Sequence, residues 1–171
     1  MPLKRILGIA AGVAVATFVA APPALCDALA LDRDKILSLQ NQYRTEVGVQ
    51  PLRWSDELAQ GAQNWANTLA SINEMKHSGT ATVGENLAVW WGHHPTYEEL
   101  IGMWGAEKDK YVPGIFPAVA TDGDWQSIAH YTQMIWRATT DVGCGTAYNG
   151  RTEFLVCWYG PRGNWMGQRV L

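Results

Sequence analysis

Two β-prone runs near the end of the chain, Val142–Tyr148 and Thr152–Tyr159, flank Asn149-Gly150, and each carries one cysteine, Cys144 and Cys157. Asn-Gly tolerates the positive φ of a tight reversal, so this is the strongest short signal for an antiparallel hairpin. The cysteines then discriminate between registers. A two-residue turn at Asn149-Gly150 sets Cys144 opposite Leu155 and leaves Cys157 on the diagonal. A four-residue loop, Asn149 to Thr152, sets Cys144 directly across from Cys157. Directly opposed residues lie ~4.5–5.5 Å apart, inside the Cα range that a disulfide accepts. The longer loop and a Cys144–Cys157 disulfide are expected.

Whether that pair oxidises depends on the compartment, and the other end of the chain speaks to this. Lys4 and Arg5 precede the uncharged apolar run Ile6 to Ala21, followed by Pro22, Pro23 and small-residue stretches around Cys26 and Ala30. That order describes a secretory signal peptide over residues 1–26, with a cut as late as 30. The apolar run is short for a membrane span, and no later segment is long enough to be one. The mature chain is therefore expected to be extracellular or periplasmic, where an even pair of cysteines forms a disulfide.

Removing Lys4 and Arg5 leaves 11 basic residues against 16 acidic, or 15 if Asp27 also goes, for a net charge of −5 or −4. The remaining lysines and arginines are scattered without a basic stripe, which argues against nucleic acid as a partner. With 47% apolar and 17% charged residues the chain has the composition of a folded protein. Residues 31–171 suit a single compact domain.

Helices are announced upstream of the hairpin. Ile36, Leu39, Tyr43 and Val47 recur at helical spacing between Leu31 and Val47, with Asp32 and Asp34 at the start and Gly48 at the end. Ser55 caps a second helix whose stripe is Leu58, Ala62, Trp65 and Leu69. Thr96-Tyr97-Glu98-Glu99 is a capping box opening a third helix, with Leu100, Met103, Trp104 and Tyr111 on its apolar side. A fourth covers Gln126 to Trp136, apolar nearly all round and so expected to be buried. Pro51-Leu52-Arg53-Trp54 reads as an extended connector. Helices packed on an antiparallel sheet, an α/β class, are the outcome.

The chain has four histidines, His77, His93, His94 and His130. His77 belongs to a loop or strand edge, and His130 opens the apolar stretch ending at Trp136. Glu85 follows His77, and Glu107 lies three residues after Trp104 and four after Met103, so it is expected to share their helix face. A carboxylate on an apolar face is costly unless it meets a cation, a donor or a metal. Two imidazoles and two carboxylates at the edges of apolar runs suit a divalent ion of the zinc type, although the spacing alone is a weak signal. His93-His94 reads as an exposed loop pair ahead of the third helix.

His130-Tyr131-Thr132-Gln133-Met134-Ile135-Trp136 closely resembles the first signature of the CAP superfamily, which groups cysteine-rich secretory proteins, antigen 5 and pathogenesis-related 1 proteins. Phe154 through Trp165 resembles the second. Asn41-Gln42-Tyr43-Arg44, Pro51 to Trp54, His77-Ser78, Gly84-Glu85-Asn86-Leu87 and Trp104 with Glu107 and Tyr111 also match, in the family's order. The resemblance implies a three-layer α-β-α sandwich with a central antiparallel sheet and a large cleft. It also implies that His77, Glu85, Glu107 and His130 converge in that cleft as a tetrad, which holds zinc in some members. Family members bind sterols or other lipids and several act in defence, so Trp90, Trp91 and Trp104 are expected to rim a site for such a ligand. A zinc-dependent hydrolase working through Glu85 or Glu107 is the alternative.

Two departures stand out. Ala129 replaces a frequent glycine before the histidine. Trp158 stands where asparagine is usual after the cysteine, which is expected to remove a donor and add bulk near the sheet.

Overall fold

The computed structural model describes residues 30–171. The signal-peptide reading and Cys26 lie outside the described residues. In chain order the elements are α1 (Arg33–Glu46), β1 (Arg53–Trp54), α2 (Asp56–Ile72), β2 (Gly84–Trp91), α3 (Tyr97–Ala106), α4 (Ala129–Ile135), β3 (Asp141–Tyr148) and β4 (Thr152–Gly160). Single 3₁₀ turns follow α3 at Glu107–Lys110 and precede α4 at Trp125–Ile128.

Each long helix starts where its first polar residue satisfies an orphan N–H. Asp32 accepts from the Lys35 amide, Ser55 from Leu58, and Thr96 and Glu99 close a reciprocal capping box. Asn73, in the left-handed region at φ 50°, ends α2.

The sheet order is β1-β3-β4-β2. β2, β4 and β3 are antiparallel, while the two-residue β1 pairs parallel with β3. In the β3–β4 hairpin Cys144 opposes Cys157 and Tyr148 opposes Glu153, the register of the four-residue loop. The disulfide joins them with Cα atoms 4.1 Å apart. Asn149 builds the loop from its own side chain, whose Oδ1 accepts from the Arg151 and Thr152 amides.

Strand alternation sends side chains to two faces. Leu87, Phe154 and Val156 meet Ala62, Ala66 and Leu69 of α2 on one face. On the other, Ala88, Leu155 and Tyr159 meet Ile36 of α1, Leu100 and Trp104 of α3, and Met134 and Ile135 of α4. The architecture is thus the three-layer α-β-α sandwich. α2 lies almost on the sheet because β3 offers glycine beneath it: a Cβ on Gly143 would sit 2.1 Å from the Ala59 nitrogen.

Two elements differ from expectation. Gly84–Trp91, whose Gly84-Glu85-Asn86-Leu87 stretch was legible only as a motif, is a full eight-residue edge strand. The third helix stops at Ala106, so Tyr111 lies beyond it in extended conformation. Within the helix Met103 is 40% exposed while Trp104 is buried. Glu107 keeps helical backbone angles, φ −61° and ψ −18°, and meets the same His130 ring on which Trp104 stacks.

Candidate functional site

Two histidines line one cavity of about 730 Å³ at the Gly84 end of β2, His77 from the coil after α2 and His130 from the first turn of α4. Each is held by its own glutamate. His77 Nδ1 lies 2.6 Å from Glu85 Oε1, and His130 Nδ1 lies 2.6 Å from Glu107 Oε1. A carboxylate oxygen can only accept at this distance, so Nδ1 carries the proton and Nε2 bears the lone pair in each neutral ring.

Both glutamates are engaged through both oxygens. Glu85 accepts from the Ser78 amide at 3.0 Å on Oε1 and from the Trp158 indole N–H at 2.8 Å on Oε2. Glu107 takes the Tyr131 amide at 2.9 Å on Oε2. Burial pushes the Glu85 carboxyl up, but the hydrogen bonds from His77, Ser78 and Trp158 outweigh it and hold the group below the usual carboxylate range. The hydrogen bond to Glu85 raises the His77 imidazole above its ordinary value, against a smaller opposing effect of burial.

Trp158 corrects the reading that it costs the site a donor. Glu85 and Trp158 are directly opposed on β2 and β4, so the indole N–H reaches the carboxylate across the sheet. Its bulk is accommodated at Gly61 of α2, where a Cβ would fall 2.1 Å from the indole ring.

His77, Glu85 and His130 all line the cavity, and Glu107 stands behind His130. The four residues thus stand as two His–Glu pairs. Among the described residues no three His, Cys, Asp or Glu side chains form a group able to cage a metal ion. Trp104 stacks on the His130 ring, with centroids 6.0 Å apart, and donates to the Leu87 carbonyl. Trp90 and Trp91 lie at the far end of β2 and are not lining residues. The aromatic wall is Trp125 and Trp165 instead, joined by Met166 and Arg162. Arg162 to Trp165 sit inside the second signature, but nothing in their spacing distinguishes a cavity wall from a buried turn. His93 and His94 are not idle: they lie 3.7 Å from Glu99 and 3.5 Å from Glu153.

Residues 37–159 match the cysteine-rich secretory protein (CAP) family. The chain belongs to that family. It is 38% identical over 134 residues to pathogenesis-related leaf protein 6 of Solanum lycopersicum, covering 78% of this chain and 79% of the relative. Venom allergen 5.02 of Dolichovespula maculata is 32% identical over 164 residues, covering 81% and 75%. The crystal structure of NaASP2 with Zn2+ superposes with a TM-score of 0.69 at 23% identity, covering 81% of this CAP domain and 83% of that chain. Na-ASP-1 superposes with a TM-score of 0.68 at 24% identity, and there the domain spans 40% of the other chain. Both structural likenesses concern the fold. Among the described residues no helix is long and apolar enough to cross a membrane.

Proposed function

We propose that this CAP domain is an exported binding module of the defence type, taking an apolar or amphipathic ligand such as a sterol or other lipid beside a divalent cation held by His77 and His130. One observation carries the reading: both histidines at the cavity have Nδ1 tied to a private carboxylate. Carboxylate–histidine pairs of this kind fix the tautomer and raise the basicity of the nitrogen left for a metal. The residues therefore fit zinc as a two-imidazole site with glutamates in support, not as a four-ligand cage. Bound there, zinc would supply a Lewis-acidic contact for a polar group of the ligand.

The protein's own groups do the rest. Glu85 and Glu107 orient the rings, Trp104 braces His130 by stacking, and Trp125, Trp165 and Met166 offer apolar surface. The relative crystallised with Zn2+ and the pathogenesis-related and venom relatives support the analogy, while a fold alone does not assign a ligand. Zinc-dependent hydrolysis is the second reading, and it requires a glutamate free to take a proton. Both oxygens of each glutamate already accept hydrogen bonds, which favours binding over turnover.

The test is calorimetric titration of the mature protein with Zn2+, together with mass spectrometry of co-purified lipids. Loss of zinc binding in both His77→Ala and His130→Ala, with melting unchanged, is expected. Undiminished zinc uptake by the double variant would overturn the assignment.

A further inference from the structure

Two irregular segments meet beside the cavity mouth and form a surface of unusual composition. The Phe116 amide donates to the Gln168 carbonyl and the Gly167 amide to the Phe116 carbonyl, both at 2.8 Å, and Ile115 bridges to Arg169. The joined segments, residues 112–120 and 161–171, contain no acidic residue, in a chain with 16. Their only charged side chains are Arg162 and Arg169. Large apolar side chains stand out from them: Met166 is 59% exposed, Ile115 52%, Trp165 45% and Val112 39%. The Arg162 guanidinium lies over the Trp165 ring, 4.6 Å from its centroid. The nearest carboxylates in sequence are Asp109, Asp122 and Asp124, of which Asp122 and Asp124 are engaged by Lys110, Ser127 and backbone amides.

We propose that this lip docks the protein on an anionic lipid surface, with Ile115, Trp165 and Met166 entering the headgroup boundary and Arg162 and Arg169 engaging the phosphates. An acidic protein is repelled by an anionic membrane least where its surface carries basic and no acidic side chains, and the two segments of this lip have that composition. Tryptophan flanked by arginine prefers the interface, where an apolar body and a polar edge are both satisfied. A handful of side chains also falls short of the roughly 20–30 residues a side that a stable protein–protein interface uses, whereas interfacial insertion gains free energy with each apolar group buried. Trp165 and Met166 belong to the cavity wall as well, so docking would open the cavity toward the bilayer.

This inference shares the cavity with the reading above but does not rest on what His77 and His130 hold. Flotation of the mature protein with vesicles of phosphatidylcholine, with and without about one-third phosphatidylserine, tests it; the lipid fraction is the experimenter's choice and any clearly anionic mixture serves. Binding to the anionic vesicles alone, weakening as salt rises, is expected. Arg169→Glu should lower partitioning by about fivefold or more, since each basic residue near such a surface is worth that much. Trp165→Ala with Met166→Ser, and separately Ile115→Ser on the other segment, should lower it while leaving melting unchanged. Trp91→Ser, which removes a 67% exposed tryptophan at the opposite end of β2, should leave it unaltered. Failure to float with anionic vesicles, or equal loss in Trp91→Ser, would overturn docking and leave the lip to a protein partner. A chain that binds zinc yet ignores vesicles sinks the docking alone.

Discussion

The indole N–H of Trp158 donates to Glu85 Oε2 at 2.8 Å, so the carboxylate that holds His77 is itself held from the opposing strand. Trp158→Phe keeps most of the bulk and removes that donor. With zinc held by His77 as proposed, it should weaken that affinity by about tenfold, the low end of the cost of disturbing groups behind a ligating histidine, because Trp158 acts through Glu85. Calorimetric titration checks this, and an unchanged affinity would show that Ser78 and His77 suffice to fix Glu85.

Gly61 is the other half of that arrangement. Ala at this position places a Cβ where the ring of Trp158 already lies, 2.1 Å from it, and the half-buried ring packs against the α2 side of the core. Gly61→Ala should cost about 1–3 kcal/mol by overpacking, although alanine is the better helix former. In the Gly61→Ala, Trp158→Val double variant the penalty should vanish, which thermal melting will show.

Arg44 is fully buried without a carboxylate. Its guanidinium instead donates to four carbonyls, those of Gln50, Met134, Trp136 and Thr139, at 2.6–3.0 Å. Burial lowers its pKa to about 10, so the charge persists at neutral pH. Arg44→Met should lose about 3 kcal/mol or more, because several buried acceptors are orphaned together. Chemical denaturation measures the loss; a cost below about 1 kcal/mol would mean that water replaces the guanidinium.

Reducing Cys144–Cys157 releases a short loop, 13 residues in separation, and should lower stability by about 3 kcal/mol. Both sulfurs are buried beneath the Gln40 side chain, so reduction should require partial unfolding. Identical melting with and without reductant would show that the bridge contributes nothing.

Asp122 accepts from Lys110, the Asp124 amide and Ser127, and these bonds, with the Lys110 contribution largest, hold its carboxyl at about 2 against an ordinary 3.8. Because the folded value is the lower one, its contribution is complete above 3.8 and is lost as pH falls through that window toward 2. Asp122→Asn should flatten the acid limb of the stability profile there, and an unaltered limb would assign that limb to other carboxylates.

How much of this was legible in the sequence depended on locality. Asp32, Ser55 and Thr96 announced three helix starts because a cap is decided within four residues. The hairpin register was legible because the disulfide admits only one of two loops. β2 was missed although Gly84 and Gly92 bracket the β-prone Leu87–Trp91, since Glu85 and Asn86 break the expected alternation. The pairing of each histidine with one glutamate was not legible either. It depends on how the start of α4 meets the end of α3 and on cross-strand opposition at Trp158, both set by tertiary packing.

The way β3 and β4 meet α2 has a consequence for how this domain can vary. Gly143 leaves the space that the Ala59 backbone fills, so the helix rests on main chain and its distance from the sheet holds for as long as this position stays glycine. The opposite layer is spaced by side chains such as Trp104 and Met134, which substitution can enlarge or shrink. Divergence among relatives should therefore shift α1, α3 and α4, and with them His130, far more than the strand that carries Glu85.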